Sequence, residues 1–362
     1  TRRRVVRAQG AEIVDDEVAV LEGQRIVRRF RELEVELLEG GEGDLRRLEQ
    51  ELRRAGADGS GELRPKLHQA LDLPAPEQTG PIPAGTPATE AIGLAFQEQY
   101  EQLLAHDPGS RRGDDPESLH QLRVATRRLR AFLRSARPLL DRSFAEELRA
   151  ELGWLGGALG PARDLDVMLE RLRAEVALLE EEAPAAQGLL DELEAERTGA
   201  YEAVREALSS ARYLELLDRL EAAASPPLSG KRTTLARIWE REVERLRATF
   251  SDLGNEPADD ALHASRIGVK RARYAAELAA HELDQPGEAF VSRAKRLQDI
   301  LGDHQDAVVA AERIEAWSAR APEGRSAAAR LIELERARQM SARAGWPEAW
   351  ERLERAARKV SP

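Results

Sequence analysis

The sequence predicts a mainly α-helical protein: two pseudo-symmetric four-helix bundles that follow a small N-terminal α+β piece. The composition supports this fold because Leu, Ala, Glu and Arg, all good helix formers, dominate the chain. From residue 90 onward, apolar residues recur with a helical period. Two sequence elements also recur in the same order within that region, which indicates a duplicated unit.

The first 37 residues differ from the rest because polar and apolar residues alternate there. This period of two is typical of half-buried strands, and it runs through RRRVVRA, AEIVDDEVAVLEG and RIVRRFRELEVELLEG. In the last segment, one strand face holds Glu32, Glu34 and Glu36, and the other holds Leu33, Val35 and Leu37. We expect helices at about 44–55 and 63–71, and a Pro- and Gly-rich linker at 73–89.

Overall composition excludes several kinds of function. The formal net charge of -11 argues against a general nucleic-acid binder, whose domain is expected to be basic. The chain has no cysteine, which excludes disulfides, thiolate catalysis and cysteine-ligated metal sites. Since no run of eighteen apolar residues occurs, we expect no membrane-spanning helix, and we expect a cytoplasmic protein. The oligomeric state is left open.

An internal repeat divides the helical region into two halves, at about 90–225 and 226–362. A histidine followed by three basic residues recurs 143 positions later with the same spacing: His120, Arg123, Arg127 and Arg130 are followed by His263, Arg266, Lys270 and Arg273. The segment LGPARDLDVML, from residue 159, recurs as LGDHQDAVVAA from residue 301. Each half is long enough for four helices.

The first basic segment, residues 120–134, contains no acidic residue. On a helix, all its basic side chains except Arg128 fall within an arc of about 80°, with neighbours about 5–6 Å apart. Arg128 lies off this arc and points towards a neighbouring surface. This first row consists of His120, Arg123, Arg127, Arg130 and Arg134. The opposite face is apolar and consists of Leu122, Ala125, Leu129, Phe132, Leu133 and Ala136. A second row follows from the repeat and lies above Val269, Ala272, Ala275, Ala276 and Ala279.

Closely spaced cations repel one another, and a bound polyanion removes that cost. The planar fork of arginine matches phosphate oxygens, and a linear row suits an extended anion. Lys295 lies on a helix that we expect to face the second row, so we expect it to line the same site. The alternatives are a solvated face paired with acids of other helices, a nucleic-acid site, and a metal site at His120 and His263. Neighbouring arginines argue against the metal site.

The Leu-Gly elements admit two structural roles. Gly160 and Gly302 either end a helix or permit close packing. Asp164 and Asp306 either cap the following helix or orient a basic residue of a row.

Four motifs in order resemble the two halves of a CHAD (conserved histidine α-helical) domain over about residues 90–360. They are LHQLRVATRRLRAFLR with LGPARDLDVML, then LHASRIGVKRARYAAEL with KRLQDILGDHQDA. The resemblance implies a basic pore that binds inorganic polyphosphate without a cofactor, and association with polyphosphate granules. The implied pore ligands are His120, Arg123, Arg127, Arg130, His263, Arg266, Lys270 and Arg273. Glu277 departs from the first half, which has Arg134 at that place.

Residues 1–72 resemble the C-terminal part of a CYTH (triphosphate tunnel) domain, a partial antiparallel β-barrel. AEIVDDEVAV and FRELEVELLEG resemble its late strands and LRPKLHQAL its closing segment, but the opening ExExK strand is absent. The resemblance implies tunnel arginines at Arg2 and Arg4, and glutamates that hold Mg²⁺ or Mn²⁺ at Glu12, Glu32, Glu34 and Glu36. Half a barrel cannot assemble that site, so we expect no triphosphatase activity from this chain unless further residues complete the tunnel.

Overall fold

The computed structural model describes residues 2–8, 10–22, 25–37, 42–57, 80–113, 115–254 and 256–360. The chain divides into two compact units, residues 1–78 and 79–362, and the division falls within the predicted 73–89 linker. The helix predicted at 63–71 and the linker residues 73–79 lie outside the described residues.

The N-terminal unit contains the strands that the alternating pattern predicts. β1 (Arg2–Ala8), β2 (Ala11–Glu22) and β3 (Arg25–Leu37) form an antiparallel sheet in the order β1-β2-β3. Helix α1 (Glu42–Arg54) follows where a helix was expected at about 44–55. The small N-terminal α+β piece is therefore confirmed, with three strands among its described residues.

The second unit is helical, which confirms the mainly α fold. The first repeat forms α2 (Ala88–Arg112), α3 (Pro116–Ser135), α4 (Arg142–Ala177), α5 (Ala183–Leu208) and α6 (Ala211–Ala222). The second repeat forms α7 (Leu235–Ser251), α8 (Asp259–Leu278), α9 (Ala280–Ser318) and α10 (Arg325–Val360). Within the described residues, no helix is long and apolar enough to cross a membrane.

Local sequence signals set where the helices that position the site begin. The side chain of Asp115 accepts hydrogen bonds from the backbone N–H groups of Glu117 and Ser118, and Pro116 occupies the first position of α3. Asp141 caps α4 and Thr234 caps α7 in the same way. These caps satisfy N–H groups that have no partner within the helix.

One continuous apolar core runs through both repeats. The apolar face predicted for α3 is buried, from Leu122 at 0% exposed to Phe132 at 4%. The small residues predicted beneath the second row, such as Val269 and Ala272, are equally buried. Helices α3 and α8 pack directly against each other. The two repeats are therefore joined by the two helices that carry the basic rows.

A second, smaller core lies where the long helices extend beyond the main one. It is built from α4, α5, α9 and α10, and includes Leu172, Leu189, Trp317 and Leu331. Helix α4 has 36 residues, so it extends about 54 Å at 1.5 Å per residue. The sequence predicted four helices per repeat, whereas the first repeat has five among its described residues, and the extension of α4 was not predicted either.

Candidate functional site

The first basic row lies on the side of α3 that faces away from the core. His120, Arg123 and Arg127 are half-buried, whereas Arg130 and Arg134 are exposed. Because the apolar residues of α3 are buried on the opposite side, the helical arrangement predicted for this row is confirmed. The row begins near the N-terminus of α3 and ends at its last turn.

The second row on α8 follows the first only in part. His263, Arg266 and Lys270 are half-buried, as their counterparts are. Arg273 is only 7% exposed: its Nε donates to Gln298 Oε1 at 3.0 Å, and its Nη1 donates to Glu277 Oε1 at 2.6 Å. Its guanidinium also lies over the Tyr274 ring, 4.3 Å from the centroid. The guanidinium of Arg273 therefore makes its contacts within the protein, with Gln298, Glu277 and Tyr274.

Glu277, where the two repeats differ in sequence, joins α8 to α3. Besides Arg273, it pairs with Arg128, whose Nε lies 3.2 Å from Glu277 Oε2. The sequence placed Arg128 off the row and towards a neighbouring surface, and that surface is α8. The two rows are therefore not equivalent at this end.

The middle parts of the two rows meet around Lys270. Burial lowers the pKa of Lys270 to about 8, and the positive charges of Arg266, Arg127 and Arg123 add to this effect. Arg123 and Arg127 belong to α3, whereas Lys270 and Arg266 belong to α8. Positively charged side chains of both repeats thus interact electrostatically in one partly buried cluster, which consists of Arg123, Arg127, Arg266 and Lys270.

Most basic side chains of this cluster and of the first row have no acidic partner among the described residues. Among the described residues, no carboxylate lies within 4.0 Å of Arg127, Arg266 or Lys270, and the same holds for Arg130 and Arg134. The Nε atoms of Arg127 and Arg266 are buried without a hydrogen-bond partner. The alternative of a face paired with acids of other helices therefore describes Arg123, which pairs with Asp164 of α4, but not Arg273, whose acid Glu277 lies on α8 itself.

Glycines let the arginines approach the neighbouring helix closely. A Cβ atom at Gly160 would lie 3.0 Å from Arg123 Nη1, and one at Gly302 would lie 3.1 Å from Arg266 Nη2. Both glycines lie inside long helices, α4 and α9, so the expectation that they end a helix is wrong and the close-packing alternative is confirmed. Arg130 lies similarly over Gly153, whose Cβ would be 3.6 Å from Nη2.

The aspartates of the Leu-Gly elements lie beside the rows rather than at helix starts. Asp164 accepts a hydrogen bond from Arg123 Nη2 at 3.0 Å, so it orients a residue of the first row. Burial raises the pKa of Asp306, and the charges of Arg266 and Arg171 oppose that rise. The backbone carbonyl of Asp306 also accepts a hydrogen bond from Arg171 Nη2 at 2.8 Å.

The two histidines head the rows in different surroundings. Burial lowers the pKa of His120, and the nearby charge of Arg163 lowers it further. An anion bound there would favour the protonated ring and raise this pKa. His263 Nδ1 is buried and has no hydrogen-bond partner among the described residues.

Two more of the predicted site residues are Lys295 and Arg134. Lys295 is exposed on α9, and no ion pair or hydrogen bond joins it to either row in the described part of the chain. Conversely, Arg134 lines a cleft together with basic residues that the sequence did not single out, including Lys231 and Arg241. Those residues belong to other segments, so no local spacing could have indicated them.

The N-terminal sheet groups its charges differently from the prediction. The register sets Arg3 opposite Asp16 and Arg7 opposite Glu12, whereas Arg2 and Arg4 are opposite Glu17 and Asp15. Since alternate residues point to opposite faces, grouping Arg2 and Arg4 with Glu12 is wrong by one position. Glu32 and Glu34 lie opposite Asp16 and Val14, and Glu36 pairs with Glu12 through its backbone.

Metal-ligating side chains do not gather into a cluster in the described residues. No group of three or more His, Asp or Glu residues there is placed to hold a metal ion. Neither Glu32 with Glu34 nor His120 with His263 forms such a group in that part of the chain.

Comparison with known proteins identifies relatives along most of the chain. The family model described as CHAD domain matches residues 94–315. Uncharacterized protein MT2285 of Mycobacterium tuberculosis (strain CDC 1551 / Oshkosh) is 33% identical over 304 residues, which cover 79% of this chain and 57% of that protein. Uncharacterized protein Rv2226 of strain ATCC 25618 / H37Rv gives the same values. The chain therefore spans little more than half the length of these relatives.

Two solved structures share the fold. PptA from Streptomyces chartreusis superposes with a TM-score of 0.64 at 25% identity, covering 74% of this chain and all of that one. The CHAD domain from the plant Ricinus communis gives a TM-score of 0.61 at 26% identity, covering 78% and 96%. With the family match and the identity to the mycobacterial relatives, these results show that the chain belongs to the CHAD domain family.

Proposed function

We propose that this chain binds inorganic polyphosphate in one site that both repeats form together. The observation that carries the proposal is the environment of Lys270, which lies close to cations of both repeats. Among the described residues, neither it nor Arg127 nor Arg266 has a carboxylate within 4.0 Å. Such a cluster costs Coulomb energy in the free protein, and a polyanion offsets that cost.

The shape of the site favours an extended anion. Arg134 lies fourteen positions after His120 on one helix, so the first row is about 21 Å long. A single phosphate would use only a few of these cations, whereas a chain of phosphates can meet several in succession. Nucleic acid is a poorer fit, because aromatic residues for base stacking make up only 4% of the chain.

Each kind of basic residue has a separate role in this proposal. Arg123 and Arg266, which lie against glycine backbone, present two N–H groups to one phosphate. Lys270 acts as a point charge between the repeats. His120 binds as an imidazolium, so it takes up a proton when the anion arrives.

Titration with long-chain polyphosphate at several salt concentrations tests the proposal. We expect affinity to fall as salt rises, as it does when nucleic-acid phosphates are neutralised. The double variant Arg127→Ala/Lys270→Ala removes one cation from each repeat and should abolish measurable binding. A matched control, Arg325→Ala/Lys359→Ala, removes two exposed basic residues elsewhere and should bind normally. Binding unaffected by the first variant contradicts the proposal, as does RNA that competes equally well.

The proposed cellular location follows from the same chemistry. If the site binds polyphosphate, a fluorescent fusion of the chain should gather on polyphosphate granules. The Arg127→Ala/Lys270→Ala variant should then be diffuse, and equal recruitment of both forms contradicts this location.

An alternative function concerns the N-terminal unit, for which a metal-dependent triphosphate hydrolase stays a hypothesis. The observation in its favour is an antiparallel sheet that sets arginines opposite acids, with Arg3 bonded to both oxygens of Asp16 at 2.9 and 2.8 Å. Phosphate release from tripolyphosphate with Mg²⁺ or Mn²⁺ tests it. No release with either ion supports a binding module.

A further inference from the structure

A basic cleft lies at the C-terminal end of α3. It has a volume of about 950 Å³ and is bordered by the turn from α3 to α4, the segment before α7, and α7 itself. Its acidic lining residues are Asp141 and Glu242. Its basic lining residues are Arg134, Arg137, Arg142, Arg149, Lys231, Arg241 and Arg245. Most of them are new to the site, because the sequence analysis singled out Arg134 alone.

Only some of these cations are neutralised. Arg137 and Arg142 share Glu146, at 2.6 and 3.1 Å, and Arg245 pairs with Glu242 at 2.5 Å. In the part of the chain that the structure describes, four others have no carboxylate within 4.0 Å: Arg134, Arg149, Lys231 and Arg241. The cleft therefore keeps excess positive charge in a chain with formal net charge -11.

The cleft is continuous with the central site along α3. Arg134 follows Arg127 on the same helix face by seven residues, or about 10 Å. Arg130 lies between them and packs over Gly153 and Gly156 of α4. The charge of Arg149, also on α4, acts on both Arg130 and Arg134. Cations thus follow one another from Lys270 to the cleft.

We propose that the cleft holds a second stretch of the same polyphosphate chain after that chain leaves the central site along Arg130. The inference rests on the proposed function and extends the stretch of protein that one polyphosphate chain contacts. The unpaired cations of the cleft are exposed and spread out, which suits a tethered polymer better than a small ligand. A chain held in the central site meets the cleft at high effective concentration.

If one polyphosphate chain contacts both the central site and the cleft, the affinity for polyphosphate depends on the length of that chain. Because Arg127 and Arg134 alone lie about 10 Å apart along α3, we expect tripolyphosphate to bind in the centre without reaching the far side of the cleft. A long chain binds both places. The variant Lys231→Ala/Arg241→Ala tests this, because both side chains are exposed and unpaired, so the fold does not depend on them. Arg325→Ala/Lys359→Ala is the control with the same change of charge.

For Lys231→Ala/Arg241→Ala, we expect the affinity for long-chain polyphosphate to fall at least roughly tenfold relative to the control. The slope of log affinity against log salt should become less steep by about 1.5, since two phosphate contacts are lost. The affinity for tripolyphosphate should stay within about twofold of the control, which is a factor too small to reflect a lost charged contact. Circular dichroism confirms that each variant is folded.

Three results overturn the inference, and they separate it from the proposed function. If long-chain affinity changes no more than in the control while Arg127→Ala/Lys270→Ala abolishes binding, the cleft is not used but the central site stands. If the affinity of Lys231→Ala/Arg241→Ala for tripolyphosphate falls by the same factor as its affinity for the long chain, the cleft is not an extension of the central site. If the wild-type chain binds neither ligand, the proposed function fails and the inference falls with it.

Discussion

The guanidinium of Arg123 packs over Gly160 so closely that a Cβ there would lie 3.0 Å from its Nη1 atom. The second repeat contains the same arrangement, in which Arg266 packs over Gly302. A helix backbone without a side chain thus forms the surface on which each arginine rests. The duplicated Leu-Gly elements are therefore part of the basic site, and not only of the helix packing.

The glycine beneath Arg123 gives the first prediction. Gly160→Ala should displace the guanidinium by a few tenths of an ångström or more, and polyphosphate affinity should fall several-fold. Folding should survive, because the atom that must move is the end of a flexible side chain. The measurement is a polyphosphate titration combined with urea unfolding.

Gly157, one turn earlier on α4, provides the control for that change. A Cβ at Gly157 would meet no atom within 4 Å. Gly157→Ala should therefore stabilise the protein by about 0.5–1 kcal/mol, the usual gain from replacing glycine inside a helix, without altering binding. Equal effects of both alanines on binding contradict the role given to Gly160.

The second prediction concerns the pH dependence of binding. The pKa of Lys270 is lowered to about 8 in the free protein, and a bound polyanion raises it. Binding therefore takes up a proton at Lys270 above pH 8, so the contribution of Lys270 to the affinity should be level below about pH 7 and fall as pH rises beyond 8. Isothermal titration at pH 7, 8.5 and 9.5 measures this.

Lys270→Met removes the titrating group and is the matched control. Its affinity should be lower than that of the wild type at pH 7 and should not fall between pH 8.5 and 9.5. A fall of the same size in the variant means that another group causes the pH dependence.

The third prediction concerns stability. Below pH 8 Lys270 is charged in both folded and unfolded states, and burial penalises the folded state. The penalty disappears between pH 8 and the unfolded pKa of 10.5. Lys270→Met should therefore stabilise the free protein at pH 7 by roughly 1–2 kcal/mol, less than the full pKa shift implies because the side chain is only half-buried. A destabilised variant in urea unfolding contradicts the assigned penalty.

The fourth prediction concerns a buried carboxylate pair that joins α4 to α10. Glu335 and Glu175 are 0% and 1% exposed, and they pair with Arg171 at 3.2 Å and Arg338 at 2.7 Å. Burial raises the pKa of Glu335 from 4.5 to about 7. When a carboxyl has a higher pKa in the folded than in the unfolded state, the protein loses stability as the pH rises from the unfolded-state pKa to the folded-state pKa.

Glu335→Gln should consequently stabilise the protein at pH 8 by roughly 1–2 kcal/mol and change stability little at pH 5. Urea unfolding at the two pH values measures the difference. A stability change that is the same at pH 5 and pH 8 shows that ionisation of Glu335 does not cause it.

Periodicity predicted the parts of this structure that depend on one helix or strand. The apolar and basic faces of α3 follow from helical spacing alone, and so does the part of the second row from His263 to Lys270 on α8. The pairing of Arg273 with Glu277 was also predictable, because Glu277 lies four residues later and such pairs interact on a helix. The role of Gln298, which comes from α9, could only be seen in the fold.

Features that depend on register or on distant segments could not be predicted in this way. A one-residue change of register moves a side chain to the other face of a sheet, which is why Arg3 rather than Arg4 faces Asp16. The basic cleft combines Arg134 with Lys231 and Arg241, about a hundred positions further along the chain. No spacing within one helix indicates such a grouping.

The central claim is that both repeats bind one polyphosphate chain at one site. Calorimetric titration of tripolyphosphate into wild type, Arg127→Ala and Lys270→Ala tests it most directly, because the number of binding sites and their affinity are measured together. We predict one site per chain in all three proteins, with weaker affinity in each variant. Two sites in the wild type, of which each substitution removes one, would contradict the claim.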